Sequence, residues 1–127
     1  MNSKGTREIL QAKEINGILL ISAPGRIETQ NAQEVEKNFR AIKEEHGNMP
    51  IAIDAGKLEY ISSVGLRILL KFTKEQSGTK LTVQDVSSEV YEIFEATGFL
   101  QILDVTETDI VMLRRKFLTP SSQLELA

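Results

Sequence analysis

Residues 51–70 read IAIDAGKLEYISSVGLRILL and contain the central strand and helix of the predicted fold. The first four residues form an apolar run that ends at Asp54 and is typical of a strand buried on both faces. After the serine pair, apolar residues recur at helical spacing, which predicts a helix. Its predicted buried face consists of Leu66, Leu69, Leu70 and Thr73. Residues 55–61, between strand and helix, are predicted to be a loop.

Strands and helices alternate on both sides of this stretch. Asn16-Gly17 supplies the positive φ angles of a tight hairpin, so the first two strands are predicted to be antiparallel. Apolar residues at spacings of three and four predict further helices downstream. The predicted strands are 7–15, 18–21, 51–54, 81–83 and 102–105, and the other predicted helices are 29–45, 87–97 and 108–118.

This order of elements predicts an α/β fold. The sheet is expected to be mixed and mostly parallel, with four to five strands, helices packed against it and an antiparallel N-terminal hairpin at its edge. A length of 127 residues suits a single domain over residues 1–127. We expect its core to cover residues 7–118, with a loose tail at 119–127.

Composition excludes several classes of function. The net charge is −3 and no cluster of Lys and Arg resembles the basic stripe that nucleic acids require, so no nucleic-acid partner is expected. The absence of cysteine excludes disulfides, thiolate metal sites and cysteine nucleophiles. The N-terminus lacks a signal-peptide core and the apolar runs are too short to span a bilayer, so we predict a cytoplasmic protein without membrane insertion.

Two serines and a glycine stand where the predicted loop turns into the helix. One interpretation is that Ser62 or Ser63 only caps the helix, a contribution of about 1 kcal/mol to stability. The other is that Ser63 carries a phosphate, because the free N–H groups and macrodipole of a helix start favour an anion. Gly65 is then expected to let the backbone of another protein come close. Spacing alone leaves both interpretations open.

Three segments resemble the motifs of one family. Residues 61–70, ISSVGLRILL, preceded by Asp54 at the end of a strand, closely resemble the signature of STAS domains, in particular of bacterial anti-sigma factor antagonists. Residues 25–28, GRIE, look like the family's Gly-x-(Leu/Ile)-(Asp/Glu) element, and residues 96–99, ATGF, resemble the end of its third helix. The resemblance covers residues 7–118 in order.

The resemblance implies a switch by phosphorylation. In that family an unphosphorylated antagonist binds an anti-sigma factor that is also a serine kinase, and the sigma factor is released to start transcription. Phosphorylation ends the complex and a serine phosphatase resets the antagonist. The phosphoacceptor lies two residues before the motif glycine, which in this chain is Ser63. The residues implied in partner binding are Glu28, Asp54, Ser62, Ser63, Val64, Gly65 and Arg67.

Two positions depart from the common pattern of antagonists. Ser62 stands where many antagonists carry Asp, and Val64 stands where they carry a small or hydroxyl residue. Val64 is expected to narrow the access of a kinase to the serine, whereas binding of the partner depends less on these two positions.

Other functions remain as alternatives. Ser63 lies outside any Gly-x-Ser-x-Gly pattern and the only histidine, His46, lies near a predicted helix end, so no catalytic site, metal site or cofactor is predicted. The alternative within the family is a regulatory or scaffold subunit of a transport, lipid-transport or stress-sensing complex without a phosphoswitch. Nucleotide binding is a third possibility. We expect a monomer, with a dimer through helix 108–118 as the alternative.

Overall fold

The computed structural model describes residues 10–47, 49–76 and 79–107. Strands and helices alternate after an initial hairpin. The strands are β1 (Gln11–Ile15), β2 (Ile18–Ser22), β3 (Arg26–Ile27), β4 (Ile51–Asp54), β5 (Tyr60–Ile61), β6 (Thr82–Val86) and β7 (Asp104–Glu107). The helices are α1 (Ala32–His46), α2 (Ser63–Glu75) and α3 (Ser88–Thr97), followed by a 3₁₀ turn (Phe99–Gln101).

Five of these strands form one mixed sheet in the order β1-β2-β4-β6-β7. β1 is antiparallel to β2, and every other neighbouring pair is parallel. The hairpin turns at Asn16 and Gly17, whose φ angles of 52° and 78° match a turn with two left-handed residues. The predicted fold class, including the antiparallel edge, is therefore confirmed.

The helices pack on one face of this sheet. Each parallel connection adds the next strand in the same direction, so right-handed crossovers place α1, α2 and α3 on the same side. Their apolar residues join Leu19, Ile53 and Val83 of the sheet in one continuous core. Between α1 and α2, the rings of Phe39 and Phe72 meet edge to face with centroids 5.2 Å apart.

Several predicted boundaries were wrong. The loop predicted at 55–61 ends in β5, which pairs with β3 in a separate two-stranded parallel sheet. Two-residue strands are too short to show a period in the sequence. Helix α1 begins at Ala32 instead of residue 29, because Asn31 accepts a hydrogen bond from the N–H of Glu28 at 2.8 Å and holds the chain in a turn.

The buried face of α2 also differs from the prediction. Leu66 and Leu69 are buried as expected, but Leu70 and Thr73 are only partly buried. The other apolar contacts with the core come from Ile68 and Phe72. The last strand begins at Asp104 because the 3₁₀ turn delays it. The predicted helix at 108–118 and the tail at 119–127 lie outside the described residues.

An ion-pair network joins α1 to α2 at the protein surface. Arg40 Nη2 lies 2.8 Å from Glu75 Oε2, and Lys43 Nζ lies 2.6 Å from Glu75 Oε1. The hydrogen bond from Arg40 is the main cause that lowers the pKa of Glu75 from 4.5 to about 2. Glu36 also pairs with Arg40 at 3.5 Å, as the spacing of four residues predicts.

The lowered pKa of Glu75 makes the stability of the folded protein depend on pH in acidic solution. Since the pKa of Glu75 is lowered on folding, its contribution is complete above pH 4.5 and is lost as the pH falls towards about 2. We expect Glu75→Gln to lose about 1 kcal/mol of unfolding free energy at pH 7, a value reduced because the carboxylate is one-third exposed. Urea unfolding should show this difference shrinking below pH 4. Glu92→Gln, at an exposed position, is the control. An equal loss of unfolding free energy in this variant would contradict the assignment of the effect to the ion pairs of Glu75.

Candidate functional site

The serine pair lies where the small β3–β5 sheet leads into helix α2. Ser62 is the N-cap, with φ −86° and ψ 175°, and its Oγ accepts a hydrogen bond from the N–H of Gly65 at 3.3 Å. This hydroxyl therefore satisfies one of the free N–H groups of the first turn. Ser62 is half-buried.

Ser63 is the first residue of α2 and is exposed to solvent. Within the described ranges, no hydrogen bond engages its hydroxyl. Helices α1 and α3 carry Glu34 and Glu89 in their first turns, whereas α2 has no acidic residue there. The positive end of the α2 macrodipole is thus not neutralised by its own side chains, and an added anion on Ser63 would be favoured.

The β3–β5 sheet brings together two motifs that are far apart in the sequence. Ile27 is paired with Ile61, and the N–H of Ser62 donates to the carbonyl of Ile27 at 2.8 Å. At the other end, the N–H of Glu59 donates to the carbonyl of Gly25 at 2.7 Å. The segment 25–28 is therefore held along the segment that leads to Ser63, and Glu28 follows the residue bonded to Ser62.

Gly65 is buried and faces its own domain. A Cβ atom at this position would lie 2.6 Å from Cγ1 of Ile61 and 2.7 Å from Cγ2 of Ile27. The glycine is needed so that α2 can pack on the β3–β5 sheet. The space beside Gly65 is filled by these two isoleucines. It is therefore not open to the backbone of another protein, contrary to our expectation from the sequence.

The remaining predicted residues occupy different surroundings. Val64 packs partly against the core, so much of its side chain points away from the solvent. Arg67 is exposed on α2, one helical turn after Ser63. Asp54, at the end of β4, is half-buried and its Oδ1 accepts from the N–H of Gly56 at 2.9 Å. That bond shapes the turn after β4. In the described part of the chain, no hydrogen bond joins Asp54 to Ser62 or Ser63.

Two residues beside the serines were missed by sequence reasoning. The guanidinium of Arg26 lies 4.9 Å from the centroid of the Tyr60 ring, and its Nε lies 2.6 Å from Glu28 Oε2. The hydrogen bond to Glu28 raises the pKa of Arg26 above its ordinary value. Arg26 lies inside the quoted GRIE motif, but its contact with Tyr60 depends on the pairing of β3 with β5.

The site has no arrangement typical of an enzyme or a metal centre within the residues that the structure describes. His46 ends α1 and its Nδ1 lies 2.7 Å from Glu14 Oε2 of β1, so it is engaged away from the serines. No group of three or more His, Asp or Glu side chains there could hold a metal ion. Over the same ranges, no helix is both long and apolar enough to cross a bilayer.

These features define a small α/β domain that presents an exposed serine at the start of a helix. Residues 10–110 match the family model of the STAS domain, and the chain belongs to that family. The family identified from the sequence motifs is thereby confirmed. Over 101 residues the chain is 33% identical to BtrV of Bordetella bronchiseptica, a protein named as an anti-sigma factor antagonist. The match covers 78% of this chain and 86% of BtrV.

Solved structures share the fold. An anti-sigma factor antagonist from Mycobacterium paratuberculosis superposes with a TM-score of 0.69 at 22% identity, over 82% of this chain and 89% of that one. The anti-sigma factor antagonist SpoIIAA in its unphosphorylated form superposes with a TM-score of 0.62 at 14% identity, over 84% and 94%. At these identities the likeness concerns the fold alone.

Proposed function

We propose that this protein is an anti-sigma factor antagonist switched by phosphorylation of Ser63. With Ser63 unphosphorylated, it binds an anti-sigma factor that is also a serine kinase, and the sigma factor is set free to start transcription. A serine phosphatase restores the binding form. The protein acts in the cytoplasm, where sigma factors meet RNA polymerase.

The observation that carries the proposal is the exposed hydroxyl of Ser63 at the start of α2, in a chain 33% identical to a named anti-sigma factor antagonist. The neighbouring serine is a poorer acceptor. Ser62 is half-buried and its hydroxyl oxygen already accepts from the N–H of Gly65, so it is less accessible to a kinase than the exposed Ser63. A phosphate on Ser63 leaves that cap in place.

A regulatory role fits the surroundings of Ser63 better than catalysis does. A serine nucleophile needs a general base within hydrogen-bond reach. The single histidine is paired with Glu14 at the far end of α1, and among the described residues no side chain forms a hydrogen bond with Ser63. Ser63 is therefore suited to accept a phosphate from a bound kinase and not to attack a substrate.

Mapping of the phosphate tests the acceptor. Incubation with the anti-sigma factor kinase of the host and Mg-ATP should add one phosphate to the wild type and to Ser62→Ala, and none to Ser63→Ala. Intact-mass and tandem mass spectrometry would count and locate it. Ser62→Ala is the matched control because it removes a hydroxyl one residue away, at a cost of about 1 kcal/mol of capping. A phosphate on Ser62, or an unchanged yield in Ser63→Ala, would refute the assignment.

A further inference from the structure

An exposed aromatic ring lies three residues before Ser63. Tyr60 is 38% exposed and is one of three large apolar residues at the surface of the described ranges, with Ile15 and Ile18. The two isoleucines lie together at the hairpin turn, whereas Tyr60 lies on β5, on the strand that leads to the phosphoacceptor. Three residues of chain span at most about 11 Å, so the backbone that carries Tyr60 lies within that distance of Ser63.

The backbone under this ring is held on both sides. Asn31 accepts a hydrogen bond from the N–H of Glu28 and donates one to the carbonyl of Arg26, each at 2.8 Å. The N–H of Glu59 bonds the carbonyl of Gly25 at 2.7 Å. Together with the pairing of β3 and β5, these bonds fix the segments that carry Arg26 and Tyr60. A backbone held in this way needs little further ordering when a partner binds.

Arg26 is held in position, but only one of its guanidinium N–H groups is used in doing so. Stacking on Tyr60 and the bond from Nε to Glu28 fix the plane of the guanidinium. A guanidinium has five N–H donors, and the bond to Glu28 uses the one on Nε. Its side chain is 53% exposed, and among the described residues no hydrogen bond from its Nη groups accompanies the one from Nε. A carboxylate from another protein matches this planar group well.

We propose that Arg26 and Tyr60 form an anchor for the same anti-sigma factor that covers Ser63, with a partner carboxylate on the Arg26 Nη groups and an apolar partner side chain on the Tyr60 ring. This inference rests on the proposed function. Arginine and tyrosine, with tryptophan, are enriched among the residues that contribute most to the affinity of protein interfaces. The anchor adjoins Ser63 through β5, so one partner surface of ordinary size covers both.

Titration calorimetry with the recombinant anti-sigma factor of the host tests the anchor. Arg26→Ala and Tyr60→Ala should each weaken binding about thirtyfold, the size of a dominant interface residue. The fold-loss of affinity in the double variant should be smaller than the product of the two single fold-losses, because the two side chains are in contact. Tyr60→Phe keeps the ring and should stay within about threefold of the wild type.

Matched controls lie on the hairpin. Ile15→Ala removes a surface side chain of similar exposure, 41%, and Lys13→Ala removes an exposed cation; both should bind like the wild type. If the wild type and these controls bind, and Arg26→Ala and Tyr60→Ala bind equally well, the anchor is refuted while the proposed function stands. If the wild type itself does not bind, both proposals fall. Circular dichroism of each variant excludes loss of folding as the cause.

Discussion

Stoichiometric phosphorylation of Ser63 is expected to lower the affinity for the anti-sigma factor about a thousandfold. The phosphate adds about −1.5 to −2 charges at neutral pH, at the exposed start of α2, which is the docking surface that we propose for the partner. Burying that charge without a matching cation costs roughly 4 kcal/mol, which corresponds to the thousandfold loss. Titration calorimetry of phosphorylated and unphosphorylated protein with the anti-sigma factor measures it.

The phosphorylated protein itself should stay folded. The first turn of α2 lacks acidic residues, so the phosphate meets the free N–H groups without repulsion from that turn. Arg67, four residues later on the same helix, can pair with it across one turn. Ser63→Asp should weaken binding in the same direction but less, because Asp carries about half the charge. Equal affinity of phosphorylated and unphosphorylated samples would disprove the switch.

Gly65→Ala is expected to lower the unfolding free energy by about 2 kcal/mol. The added Cβ would lie 2.6 Å from Ile61 Cγ1 and 2.7 Å from Ile27 Cγ2. Both isoleucines are only 2% exposed and have stiff χ1 angles, so they cannot move aside cheaply. Overpacking costs up to about 3 kcal/mol, whereas alanine in place of a helical glycine gains at most about 1 kcal/mol. The steric clash therefore costs more free energy than alanine gains in helix propensity, and the variant is less stable.

Gly25→Ala is the matched control for this effect. A Cβ on Gly25 would have the carbonyl oxygen of Lys57 as its nearest neighbour, at 3.7 Å, which is an ordinary contact. Its unfolding free energy should stay within about 0.5 kcal/mol of the wild type. Urea unfolding of both variants measures the difference. A Gly65→Ala protein as stable as the wild type would mean that α2 does not need a glycine to pack on the β3–β5 sheet.

The candidate site was predictable from the sequence only in part. The helix start at Ser62-Ser63 could be predicted because cap residues and the apolar spacing that follows are local signals. The position of Glu28 beside that start depends on two strands of two residues each, from segments more than thirty residues apart. The stack of Arg26 on Tyr60 depends on the same pairing. Strands of two residues leave no periodic pattern in the sequence. Only the resemblance to the family motifs indicated that Glu28 lies near the serine pair.

The amino-acid sequence by itself determined the order of the five strands of the main sheet and of helices α1, α2 and α3, the hairpin at Asn16-Gly17 and the family, because these depend on local conformational preferences and on short motifs. Tertiary structure alone decided which serine hydroxyl is free and why residue 65 must be glycine. Both depend on how closely α2 packs on the β3–β5 sheet. That distance is set by side chains brought together from separate parts of the chain, which no local pattern records.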